Sequence, residues 1–88
     1  MDAKEALRVI RGLGKVNPFR LTVHADQEAA ACSATRAHIR CALANAKRVR
    51  PSGKGRASDW TVLGPDLDGD DLELAVIIED GLLIITVY

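Results

Sequence analysis

Residues 62–88 limit the choice of fold more than any other part of this chain. Three runs rich in apolar residues are separated by Asp68-Gly69 and Asp80-Gly81. Asp-Gly between alternating runs is a strong short-range hairpin signal, because both positions of a type I′ turn need positive φ. Leu72, Leu74, Val76 and Ile78 alternate with Glu73, Ala75, Ile77 and Glu79, so one side of that strand is wholly apolar. The reading is an antiparallel meander over residues 60–63, 72–79 and 82–88. Its last run, residues 83–87, is apolar on both sides. That suits either a central strand or one that a partner covers.

A meander with one apolar face needs a second layer, and the earlier residues supply helices. Residues 2–13 form the first: Asp2 caps it, with Glu5 three residues on as in a capping box. Ala3, Ala6, Leu7, Ile10 and Leu13 share one side; Lys4, Arg8 and Arg11 share another, read as solvated surface in preference to an RNA contact. Gly12 and Gly14 are expected to end it. Asn17-Pro18 breaks the chain, residues 19–23 alternate as a short strand, and His24 stands at that strand's end. Residues 25–31 favour helix. Ser33 or Thr35 starts another helix reaching about residue 46, with Ile39, Ala42, Leu43 and Ala46 as its apolar stripe and Arg36, Arg40 and Lys47 beside it. Residues 47–51 read as a strand stopped by Pro51, and residues 52–58 as a flexible basic loop. The expected order is α-β-α-α-β-β-β-β in one domain over residues 1–88. The fold class is α+β, with the helices packed on one face of a small antiparallel sheet.

The charges are divided along the chain. All 12 Lys and Arg lie in residues 1–56 with only Asp2, Glu5, Asp26 and Glu28 against them, whereas residues 57–88 hold no base and eight acids. Such a division gives either one face for an anion and another for a basic partner, or two solvated sets that pair with each other. No apolar run is long enough to span a bilayer, and residues 1–5 lack the layout of a signal peptide, so a cytoplasmic protein is expected. Cys32 and Cys41 fit no CxxC or metal-ligand spacing and are read as reduced and structural.

The strongest local signal is basic. Lys47, Arg48, Arg50, Lys54 and Arg56 crowd into residues 47–56 without an acid, and Gly53 and Gly55 let the backbone approach a phosphate. Arginine can clamp phosphate bidentately, while lysine offers a flexible point charge. The segment is not a Walker loop; it is a nucleic-acid contact or a solubilising loop. His24 is the candidate for acid–base work, since imidazole exchanges protons near neutral pH. His38 is read as surface. Tyr88 can donate a hydrogen bond or anchor the last strand. Asp66, Asp68, Asp70 and Asp71 lack the glycine position and closing Glu of a calcium loop and are read as a solvated turn. No metal or cofactor is expected.

Together, His24-Ala25 after a short strand, Ala42-Leu43 in a helix, Leu63-Gly64, Asp68-Gly69 and the closing Leu83-Ile-Ile-Thr-Val-Tyr88 resemble a small bacterial domain-of-unknown-function family. Its members follow an H-A-x-x-R … L-G … D-G … I-I-T-V-Y pattern, which covers residues 19–88 here. That family is similar to the RelE, BrnT and MqsR toxins, ribonucleases neutralised by an antitoxin. The resemblance implies a toxin-like, metal-independent RNA endonuclease of a toxin–antitoxin pair. His24 would then be acid or base, Arg48 and Arg50 phosphate clamps and Tyr88 an orienting donor, with RNA also held by Arg40, Lys47, Lys54 and Arg56. The expected partners are RNA and a cognate antitoxin or other small protein, or a second copy of the chain, with no membrane. Glu28 and Cys32 stand where the family pattern has arginine, removing positive charge beside His24. That departure supports the alternative, a non-catalytic interaction or regulatory module.

Overall fold

A computed structural model describes residues 1–16, 19–53 and 58–88. The elements run α1 (Ala3–Val16), β1 (Arg20–Leu21), α2 (Val23–Ala31), α3 (Arg36–Ala44), β2 (Arg48–Pro51), β3 (Trp60–Pro65), β4 (Asp71–Ile78) and β5 (Leu82–Val87). The order is the expected one. The sheet, however, is mixed rather than antiparallel: its five strands lie in the order β1-β5-β4-β3-β2, and β1 runs parallel to β5. The chain leaves β1 through α2 and α3 and returns at the opposite edge, so only the last four strands alternate in direction.

The meander forms as expected, but only its second turn has both residues of the Asp-Gly pair at positive φ; in the first, a five-residue connection between Pro65 and Asp71, Gly69 has it and Asp68 does not. Asp80 and Gly81 both have positive φ, at 48° and 96°, and Gly69 has φ 83°. Asp66 organises the other turn by accepting from the amides of Asp68 and Asp70. Leu72, Leu74 and Val76 point into one core with Val62, Leu82, Ile84 and Val87, beneath Ala6, Ile10, Ala25, Ala29, Ile39, Ala42 and Leu43 of the three helices. All three helices therefore cover one face of the sheet. β5 is a central strand, which accounts for much of its apolar character.

Two local expectations are corrected. α1 continues through Gly14 to Val16, because Gly14 is a crossing point rather than a stop. A Cβ there would come within 2.9 Å of Leu43 and Ala44 of α3. Gly64 is a second close approach: a Cβ on it would overlap the carbonyl of Ala42. The strand expected over residues 19–23 is two residues long, because the Thr22 hydroxyl accepts from the Ala25 amide at 3.0 Å and starts α2 at Val23.

Candidate functional site

Opposite residues of an antiparallel ladder share a face. Across the side of the sheet opposite the helices the register therefore reads Arg48, Leu63, Glu73 in one row and Arg50, Thr61, Ala75, Thr86 in the next, with Thr61 and Ala75 buried. Arg48 and Arg50 point outward because Val49 between them packs toward the core opposite Val62. Glu73 lies outward between buried Leu72 and Leu74.

Tyr88 joins this band through an irregularity. From Leu82 and Ile84 inward, strict alternation would put residue 88 on the helix side. The register shifts between Ala75 and Val76, so that Ile85 is the extra residue of a bulge and Val87, opposite Leu74, takes the inward position. Tyr88 follows on the open side, its amide donating to the Glu73 carbonyl at 3.0 Å. Its side chain is exposed. By strand spacing alone, Glu73 lies about 5 Å from Tyr88 and about 10 Å from Arg48 between backbones. Arg48, Arg50, Thr61, Leu63 and Glu73 line a shallow hollow there.

The electrostatics of the band are compensated in part. Arg50 Nη2 donates to Glu73 Oε1 at 3.0 Å, and Lys47 Nζ donates to Asp71 Oδ1 at 2.8 Å. Arg48 makes no ion pair among the described residues. Sequence reasoning missed Glu73. The signal was present: it is the acid on β4 whose neighbours in the alternation are all core residues, in the strand next but one to the basic strand.

The other sequence candidates lie elsewhere. His24 is in the first turn of α2 rather than at a strand end; its side chain is 69% exposed and Nε2 is 3.3 Å from Glu28 Oε1. The same Glu28 oxygen accepts from the Val87 amide at 3.1 Å, tying α2 to the outer edge of β5. From β5 to β2 is three strand spacings, about 14 Å, so His24 does not converge with Arg48 and Arg50. Arg40 is in the helical layer, where Nη1 reaches the Gly14 carbonyl at the end of α1 and the guanidinium stands 5.9 Å from the Phe19 ring. Lys47 stands just before β2. Lys54 and Arg56 lie outside the described residues. Both cysteines are free.

His38, Asp66 and Asp68 bring metal-type donor atoms within 4.8 Å of one another. These atoms are engaged structurally. His38 Nε2 meets Asp68 Oδ2 at 2.9 Å, Nδ1 closes the capping box of α3 with Thr35, and Asp66 Oδ1 accepts from the turn amides. His38, read from sequence as surface, is the latch between α3 and the β3–β4 hairpin. No described helix is long and apolar enough to cross a membrane. Comparison with family models, curated proteins and solved structures returns no match.

Proposed function

We propose that the uncovered sheet face binds and cleaves single-stranded RNA without a metal ion, in the toxin-like manner that the sequence resemblance implies. The observation that carries this reading is the band of Arg48, Arg50, Glu73 and Tyr88 on one solvent-open face. Metal-free cleavage needs a base for the 2′-hydroxyl proton, cations for the crowded phosphorane and a donor for the leaving oxygen. Arg48 and Arg50 hold the phosphate. A phosphate that takes Arg50 releases Glu73 from its ion pair, and the freed carboxylate accepts the 2′-hydroxyl proton. The 2′-oxygen attacks phosphorus, the bond to the 5′-oxygen breaks, and that oxygen takes the phenolic proton of Tyr88. The products are a 2′,3′-cyclic phosphate and a 5′-hydroxyl; water restores both side chains. His24, at the far edge, takes no part. In a toxin–antitoxin pair, a neutralising partner would have to cover this same face.

The test is purified chain with end-labelled RNA in excess EDTA, beside Glu73→Gln and His24→Ala. Cleavage lost with the first and kept with the second supports the assignment. An inert wild-type chain, or equal cleavage by all three, sinks it. A second reading, a non-catalytic interaction or regulatory module, draws support from the pairing of Lys47 with Asp71 and of Arg50 with Glu73, which leaves little cationic charge uncompensated on the face. Overexpression without growth arrest, with the fold intact, is its expected outcome.

A further inference from the structure

Among the described residues, the largest set of cations with no acidic partner lies away from the sheet, on α1. Lys4, Arg8, Arg11 and Lys15 are all exposed, and at 100° per residue they fall within roughly 60° of arc. They form a straight ridge about 16 Å long. It is turned away from the buried positions Ala6, Ile10 and Gly14. None of the four makes an ion pair among the described residues, although Glu5 stands in the first turn and Asp2 just before it. Asp2 is occupied there in capping the helix, accepting from the Glu5 amide at 2.8 Å.

The ridge is also fastened to the basic edge of the sheet. Arg11 Nε donates to the carbonyl of Ala46 at 2.8 Å, immediately before Lys47, and α1 packs against β2. β2 is an edge strand. The unpaired cations of α1 and the cations of β2 therefore meet at one border of the molecule, the helix set on one side of the sheet and Arg48 and Arg50 on the other.

We infer that the α1 ridge is a second binding track, which takes the phosphate backbone of single-stranded RNA as it passes around the β2 edge from the open face. The inference rests on the RNA reading of that face for where the strand comes from. The ridge itself requires only a flexible polyanion with closely and regularly spaced charges. A strand of a few nucleotides is held by Arg48 and Arg50 alone; a longer one also reaches Lys4, Arg8 and Lys15. Arg11 is the hinge of the track and is left intact in the test because its guanidinium also holds Ala46.

The experiment measures binding of fluorescein-labelled uridine oligomers of 4 and 15 nucleotides to the full chain and to a Lys4→Glu/Arg8→Glu/Lys15→Glu variant, over a series of salt concentrations. The substituted side chains are exposed, and an unchanged thermal transition checks the fold. The expected result is at least tenfold weaker binding of the 15-mer by the variant. The slope of log affinity against log salt falls by about 2, because three cations no longer neutralise a phosphate, at about 0.7 each. Binding of the 4-mer changes less than twofold. Equal effects on both oligomers, no effect on the 15-mer, or no 15-mer binding by the wild-type chain overturns the inference. So does a 15-residue poly-glutamate peptide that binds as tightly as the RNA with the same dependence on the ridge, since that marks an acidic protein segment as the ligand. Cleavage is scored separately. A 15-mer that binds through the ridge but is not cut leaves the track standing and removes the nuclease reading.

Discussion

Single residues decide which of the proposed roles this chain can carry. Glu28 stands where the pattern has arginine, and its role here is structural: its half-buried carboxylate accepts from the Val87 amide beside the end of β5. Arginine has no acceptor to offer that amide. Glu28→Arg is therefore expected to destabilise the fold by about 1–3 kcal/mol, the usual effect of leaving a sheltered donor unpaired. It should bring no gain in affinity for a 4-nucleotide RNA, because the new charge sits at the far edge from Arg48. Urea denaturation and the short-oligomer titration read the two outcomes. Tyr88 is the converse case, held by its backbone while its side chain is exposed. Tyr88→Phe should leave the denaturation midpoint unchanged and slow RNA cleavage by about 10²-fold, at the low end for loss of a proton-transfer group. An unchanged rate would remove Tyr88 from the mechanism.

Whole elements were largely legible because their signals are local. The Asp-Gly turns and the alternation of Leu72, Leu74 and Val76 specify the hairpins without help from the rest of the chain. What the sequence hid depends on contacts between distant residues. Gly14 looks like a helix stop and is instead the point where α1 crosses α3, which only tertiary packing reveals. The parallel pairing of Arg20 and Leu21 with β5 brings together residues more than 60 apart, and no pattern in the sequence foretells it. The bulge at Ile85 is the same kind of feature: alternation counted along the strand puts Tyr88 on the wrong side. His24 was expected at a strand end and lies in the first turn of α2, and its distance from the basic strand depends on strand order. Close packing at Gly64 gives a direct test. Gly64→Ala drives a methyl group into the Ala42 carbonyl, so α3 must shift off β3. The expected loss is roughly 1–3 kcal/mol, as for overpacking elsewhere. Gly12→Ala, which meets no atom within 4 Å, should stabilise α1 by up to about 1 kcal/mol. If the two variants melt together, the approach of α3 to β3 is looser than described.

Over the whole molecule, the divided charge of the sequence is partly healed by the fold. The late, acidic part of the chain lies beside the early, basic strand, and Lys47–Asp71 and Arg50–Glu73 join the two. These pairs are largely exposed, so each adds no more than about 1 kcal/mol to stability. Their larger effect is on the field that a polyanion meets. Asp71→Asn with Glu73→Gln removes two negative charges from a chain of zero formal net charge and leaves the fold nearly as stable. Lys47 and Arg50 are then both available to phosphate. Binding of a 15-nucleotide RNA at low salt should tighten severalfold, and the advantage should shrink as salt screens it. The two functional readings part at the next step. If Glu73 is the base, the tighter-binding double variant cuts at least 10²-fold more slowly than the wild-type chain. If the acids serve only to mask the cations of an interaction module, neither chain cuts, and the double variant is simply the better polyanion binder. A double variant that both binds and cuts better than the wild type would exclude Glu73 as the base, and the proton acceptor would then have to be sought outside the sheet face.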